Sequence, residues 1–362
     1  MNREIGSDFW RQSVTDASTR QLCAPAGFDV RGVLCGRTAQ QMIVQDIICS
    51  RGRLKSVYMP SYCCHTMLEP FAENGVTISF YDVFAGKDKI ECDYDVDNGC
   101  DAVFLMNYFG FTDTAYAERI KAAAQRGQTV IIDRTQEFLC ELTNVQLCAD
   151  YIFESPRKWF AANAAVVMKK GSFKVEDYKK IHTAYLDLRH AAALEKYDYI
   201  FNGKGDKQAF LSKFSAAEQL LEAEHGFYTA DAASVAELAA FDRDAAVKSR
   251  RDNARYLIDE LLNSGLEGIR PAFTGIGDGD CPLFVPVIVD EQIRAALRSS
   301  MTAKDIYCPL HWQLSPLHTL TDRAALIYAQ EMSLICDQRY TLSDMERQML
   351  AVKSFFEENI NA

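Results

Sequence analysis

Two apolar runs set the frame: DAVFLM (101–106) and QTVIID (128–133), separated by the amphipathic segment AYAERIKAAAQRG (115–127). Each has the length of a strand and almost no polar position. A strand that is apolar at every residue has both faces buried, so the sheet holding it must be covered on both sides. The alternation repeats through the first two thirds of the chain. GRTAQQMIVQDIIC (36–49) reads as a helix and SVYMP (56–60) as a short strand. CCHTMLEPFAEN (63–74) reads as a helix interrupted near Pro70, and VTISFYD (76–82) as a strand; DYIFES and NAAVVMK follow. Strands alternating with helices imply βαβ units and a mostly parallel sheet.

Beyond residue 170 the pattern changes. Residues 176–262 read as largely helical, including one long helix over VAELAAFDRDAAVKSRRDNARYLIDELLNSG that Gly265 ends. PLFVPVIVD (282–290), a helix at 291–300, IYCPLHW (306–312) and a last helix from Leu342 to Glu358 complete the chain. The expected fold is α/β: a three-layer large domain on a mostly parallel sheet (1–235), then a smaller α+β domain (236–362). The N-terminal segment is free to pack on the smaller domain, and the long helix after Ala230 joins the two.

Charge narrows the function. The chain carries a net charge of −11, and no basic stripe is available to displace counterions from a nucleic acid. A small anionic ligand held by a few local cations remains open. No apolar run is long enough to span a bilayer, and the polar start MNREIGSDFW is unlike a secretory signal, so the expected location is cytoplasmic. The 12 cysteines then read as reduced thiols. No CxxC pair occurs, and adjacent Cys63, Cys64 and His65 are badly spaced for tetrahedral zinc, so no metal site is expected.

Ligands of open α/β sheets bind at the carboxyl ends of strands. Asp133 closes a buried run, and a carboxylate there needs a cationic partner, either an arginine such as Arg134 or Arg157 or a ligand cation. Lys158, beside Arg157 in ESPRKWF (154–160), has the surroundings that lower an amine's pKa and make it a nucleophile toward carbonyls. Gly36, Arg37, Thr38 and Ala39 open a helix, whose free N–H groups suit a phosphate; taken alone, the stretch is a plain N-terminus capped by Thr38. A phosphate seat, an anion and an amine on one sheet edge match the three needs of pyridoxal phosphate.

The order GRTA, PSY, NYFGF, IIDRTQ, SPRKW, IYCPLHW and CDQRYTLSDME resembles the DegT-like sugar aminotransferases, a family of fold-type-I pyridoxal-phosphate enzymes, over nearly the whole chain. The resemblance implies that Lys158 is the Schiff-base lysine, Asp133 binds the pyridine nitrogen, and Gln136 approaches the ring hydroxyl. It gives phosphate contacts to Thr38, Ala39 and Ser155, beside Gly36 and Arg37, and places Tyr62 near the ring-stacking position. It implies an amino acid donor, a keto sugar acceptor (typically nucleotide-linked), and a homodimer. Arg339, His311 and Trp312 are candidates for substrate contacts. Trp159 is expected to pack beneath the loop, and RRDNAR (250–255) to form a solvated helix face.

Two departures from the family pattern stand out. Arg134 and Thr135 replace small residues after the aspartate, and Asn163-Ala164-Ala165 replaces a glycine-rich stretch. They leave room for a different pyridoxal-phosphate reaction, such as decarboxylation or a lyase step, or for a non-catalytic homologue.

Overall fold

The computed structural model describes residues 4–12, 22 and 24–359. In chain order, the elements that frame the site are β1 (Ile5–Gly6), β2 (Phe28–Val33), α1 (Gly36–Arg51), β3 (Ser56–Pro60), α2 (His65–Glu73), β4 (Thr77–Ala85), β5 (Ile90–Asp93), β6 (Ala102–Met106), α3 (Tyr116–Gln125), β7 (Thr129–Asp133), β8 (Tyr151–Glu154) and β9 (Ala165–Lys170). An eight-stranded sheet has the order β2-β9-β8-β7-β6-β3-β4-β5. The five strands from β8 to β4 run parallel, while β9, β2 and β5 are antiparallel additions at the two sides. Every residue of β6 and β7 is buried; since side chains alternate between faces, both faces are covered. α1 packs on β8 and β9, α2 on β4, and α3 on β6 and β7.

Then come α4 (Thr183–Asn202), α5 (Lys207–Ala223), α6 (Ala232–Ala240), α7 (Arg243–Asn263), β10 (Ile269–Pro271), β11 (Val285–Val289), α8 (Glu291–Ala303), β12 (Ile306–Tyr307), α9 (Asp322–Gln330), β13 (Glu331–Leu334) and α10 (Leu342–Asn359). α4 and α5 form a hairpin with its own cluster of Ala192, Ala193, Phe210 and Phe214. β10, β11 and β13 form an antiparallel sheet, with α7 against β10 and β11 and α10 across α7 and α8. β1 pairs in parallel with β12, so the N-terminal strand belongs with the C-terminal part of the chain.

Several expectations are corrected. The long helix after Ala230 is two helices. The break lies at Phe241, whose ring stacks on Phe160 at 4.1 Å, and at Asp242, which caps α7 by accepting the Ala245 N–H at 3.1 Å. A local capping carboxylate and a half-buried, stacked ring outweigh helical propensity there. α2 runs through Pro70 rather than stopping near it. Only Ile306–Tyr307 of IYCPLHW is strand. The strands β2, β5 and β13 carry no apolar run as clear as those of β6 and β7, and the sheet pairing alone reveals them. The eleven cysteines described are free thiols, and Cys23 lies outside the described residues. Among the described residues, no helix is long and apolar enough to cross a membrane, and no three metal-ligating side chains converge.

Candidate active site

The first ligand-ready feature is the start of α1. Cys35 is the N-cap, in extended conformation at φ −158°, and contributes no side-chain cap. Thr38 is therefore not the cap; it sits in the first turn. Its hydroxyl donates to the carbonyl of His225. The first intrahelical bond runs from Ala39 N–H to Cys35 O at 3.0 Å. Ala39 has thus spent its donor within the helix, and the N–H groups left without intrahelical partners are those of Gly36, Arg37 and Thr38. The Arg37 guanidinium turns to Glu69 at 3.4 Å. A Cβ at Gly36 would lie 3.6 Å from Ser155 Cβ, so the serine after β8 stands beside this helix end.

Next along the sheet edge is Asp133, last residue of β7 and buried. Its Oδ1 accepts the Thr135 N–H at 2.7 Å. Neither proposed arginine partner pairs with it. Arg134 turns away into a buried network: it donates to Glu154 at 2.9 Å, to Gln146 at 2.7 Å, and to the carbonyl of Cys140 at 2.9 Å. Arg157 pairs with Glu218 at 3.0 Å and donates to the Tyr185 hydroxyl at 3.4 Å; the Glu218 carboxylate raises its pKa further. Burial pushes the Asp133 carboxyl up to about 6, against the opposing pull of Thr135 and Lys158.

Gln136 lies three residues on. Its Oε1 accepts the Phe109 N–H at 2.6 Å, and among the described residues its buried Nε2 has no acceptor. A buried, unbonded amide donor is costly and implies a ligand acceptor.

Lys158 ends the single helical turn Pro156–Lys158 that follows β8. Burial lowers its pKa, reinforced by Arg157 and opposed by Cys64 and Asp133. Its Nζ lies 5.8 Å from the centre of the Trp312 ring. The loop is pinned from below by Trp159, which is fully buried and donates Nε1–H to Thr135 O at 2.7 Å. That bond ties the lysine loop to the turn after Asp133. Trp159 therefore packs under the loop, as expected.

A cavity of about 410 Å³ opens beside Lys158, walled by Ser7–Phe9 of the N-terminal segment, Arg157, and residues from the C-terminal part of the chain, including Arg250, Arg298, His311 and Arg339. Four arginines and Lys158 line it against two carboxylates, Asp8 and Asp337, in a chain whose net charge is −11. Arg339 is held in place: it pairs with Asp337 at 2.8 Å and donates to the Ser7 and Asp8 carbonyls. RRDNAR is not a solvated face at its start. Arg250 is fully buried, stacks on Trp159 at 4.6 Å, and donates to the carbonyls of Pro282 and Leu283. Packing of α7 against the 281–283 segment draws it inward.

Tyr62 is not free to cover a ligand. It is fully buried among Tyr108, Trp312 and Tyr328, at ring distances of 5.5, 4.9 and 5.0 Å. The residue of that segment coupled electrostatically to Lys158 is Cys64, the N-cap of α2, which the sequence reading weighed only as a metal ligand. Arg298 and Glu218 were also missed; each reaches the site only through packing of distant helices, so no local pattern marks it.

No protein-family profile matches the chain, and no curated protein matches it. Solved structures do. It is similar to PseC of Helicobacter pylori, an aminotransferase involved in pseudoaminic acid biosynthesis, at 13% identity and a TM-score of 0.65 over 91% of this chain and 87% of that one. A DegT DnrJ EryC1 StrS aminotransferase from Brucella abortus gives 16% identity and a TM-score of 0.59 over 90% and 85%. NtdA of Bacillus subtilis, solved with bound cofactor PMP, gives 14% and 0.58 over 91% and 73%. The fold is that of these aminotransferases: one large mostly parallel sheet with a smaller C-terminal sheet beside it.

Proposed function

We propose that the protein is a pyridoxal-phosphate-dependent aminotransferase that moves an amino group from an amino acid donor to a keto sugar, typically nucleotide-linked. One observation carries the reading. At the carboxyl ends of neighbouring parallel strands stand a carboxylate (Asp133) and an amide donor (Gln136), the one with no ion-pair partner and the other with no acceptor among the described residues, and a desolvated amine (Lys158).

The cofactor fits these groups. When bound, it supplies an aldehyde for the amino group and a protonated ring that withdraws electrons. The N–H groups of Gly36, Arg37 and Thr38, with the Ser155 hydroxyl, hold the phosphate in this reading. Asp133 meets the ring nitrogen, whose positive charge compensates the buried carboxylate. Gln136 Nε2 donates to the ring oxygen. Lys158 is the attachment point, and its amine takes a proton from the donor's α-carbon and returns it, the general base and then general acid role.

The cationic cavity suits a donor carboxylate or a diphosphate. It lies between the sheet-bearing part, 1–235, and the C-terminal part, 236–362, which we take as the two domains. His311 and Trp312 face or flank it and are the substrate-contact candidates; Arg339 acts there as a structural anchor. A homodimer in the cytoplasm completes the proposal.

The test is the visible spectrum after incubation with pyridoxal phosphate. The wild type is expected to turn yellow, to lose the band with borohydride, and to carry the reduced adduct on Lys158 in peptide maps. Glutamate should discharge the band. Lys158→Ala should show no borohydride-trapped adduct and lose at least about 10²–10⁴ in rate, the range for a proton-transferring side chain. A wild-type protein that stays colourless overturns the reading.

A further inference from the structure

β13 places a fully buried carboxylate, Glu331, behind the cavity wall. Among the described residues no lysine or arginine side chain lies within ion-pair distance of its carboxylate; the ionisable side chain that does is His311, at 3.5 Å. Two donors reach it in a fixed way, with the Tyr62 hydroxyl close by. Oε2 takes the His311 backbone N–H at 2.7 Å. Oε1 takes the Ser333 hydroxyl at 2.6 Å. The His311 Nδ1 lies 3.3 Å from Ser333 Oγ and 3.5 Å from Oε1.

The proton count then fixes the ring. Ser333 has one hydrogen and gives it to the carboxylate, so its oxygen is left as an acceptor. Every group facing Nδ1 accepts, and Nδ1 must carry the hydrogen. In the neutral imidazole Nε2 is bare. Among the described residues nothing bonds Nε2, although His311 is only 8% exposed. The ring is clamped by Phe109 and Phe284, each at 5.2 Å, and the residue lines the same cavity as Lys158.

We propose that Glu331, acting through Ser333, is a positioning residue that locks His311 in the Nδ1–H tautomer, so that Nε2 accepts a hydrogen bond from a hydroxyl of the sugar acceptor. This rests on reading the cavity as the substrate site. It assigns the His311 side of the cavity to a hydroxyl rather than to a carboxylate or phosphate, which offers a neutral imidazole of this tautomer no donor. The remaining anionic part of the ligand falls to the arginine-lined side.

Long-range ¹H–¹⁵N spectra of the histidine rings read the tautomer directly in the holoprotein, with His311→Asn to assign the signal. A bare Nε2 in the wild type is expected. Glu331→Gln puts an amide donor in the relay and should reverse the tautomer, and Ser333→Ala should weaken its bias if the glutamine variant does not fold. With glutamate and a nucleoside-diphosphate-linked 4-keto-6-deoxyhexose as substrates, Glu331→Gln should raise KM for the keto sugar about tenfold, the loss of one hydrogen bond of ordinary strength, with a much smaller fall in kcat. A protonated Nε2 in the wild type, or an unchanged tautomer in both variants, overturns the proposal; so does an equal fall in kcat and kcat/KM. A wild-type protein that takes up no pyridoxal phosphate and leaves the keto sugar untouched sinks the functional reading instead, and the tautomer measurement still decides the relay.

Discussion

Asp133 ends β7 and Lys158 ends the helical turn after the neighbouring parallel strand β8; the two are electrostatically coupled, yet they form no ion pair: each is desolvated and each is drawn toward its neutral form. A structural salt bridge would have shifted both the other way. The pair is poised for a third partner that bears positive charge near the carboxylate and a carbonyl near the amine. Three expectations follow from this and from the packing around it.

The Asp133 carboxyl costs stability at neutral pH when no ligand cation is present. Its folded pKa of about 6 lies above the ordinary 3.8. A raised folded value favours the fold fully below the unfolded pKa, and that contribution is lost as pH rises through about 6. A shift of about two units corresponds to roughly 3 kcal/mol at most. Asp133→Asn should therefore raise the melting temperature of the cofactor-free protein at pH 8 and change it little at pH 4. The same variant should bind pyridoxal phosphate less tightly. Equal melting shifts at the two pH values would show that Asp133 is not the strained group.

Arg134 holds the turn after β7 together from inside. It is 1% exposed and serves Glu154, Gln146 and three backbone carbonyls, while Glu137 nearby is also buried. Removing one partner of a buried charged network leaves the others uncompensated, at about 3–5 kcal/mol. Arg134→Met should lower the unfolding free energy, read from urea denaturation, by that amount. The residue that departs from the family pattern thus has a structural task, and a mild effect of its loss would refute this.

Gly110 has φ +81°, and a Cβ there would lie 1.9 Å from the Cys281 carbonyl oxygen. Carbonyls of the same loop accept the backbone N–H groups of Cys281 and Leu283, and the loop supplies the Phe109 N–H that orients Gln136. Gly110→Ala is expected to destabilise by several kcal/mol, since it meets both backbone strain and a clash. Cofactor affinity should fall with it. Thermal melts together with a pyridoxal phosphate titration would read both effects.

The sequence by itself determined the parallel centre of the sheet and the order of its chemistry. Apolar runs such as VFLM and TVII are buried wherever they go, and Asp133, Gln136, Ser155 and Lys158 follow such runs by chain continuity alone. What surrounds those residues was decided in three dimensions. The partner of Arg157 is Glu218, 61 residues away, and the partner of Thr38 is His225; no local period encodes such distances. The same holds for Arg250, which reads as a surface residue in an arginine-rich helix and becomes buried when α7 meets the 281–283 segment. Tyr62 and Cys64 show the limit most plainly. They are two residues apart just before α2, and only the aromatic cluster around Trp312 and Tyr328 decides that the tyrosine is sealed in the core while the cysteine is the one coupled electrostatically to Lys158.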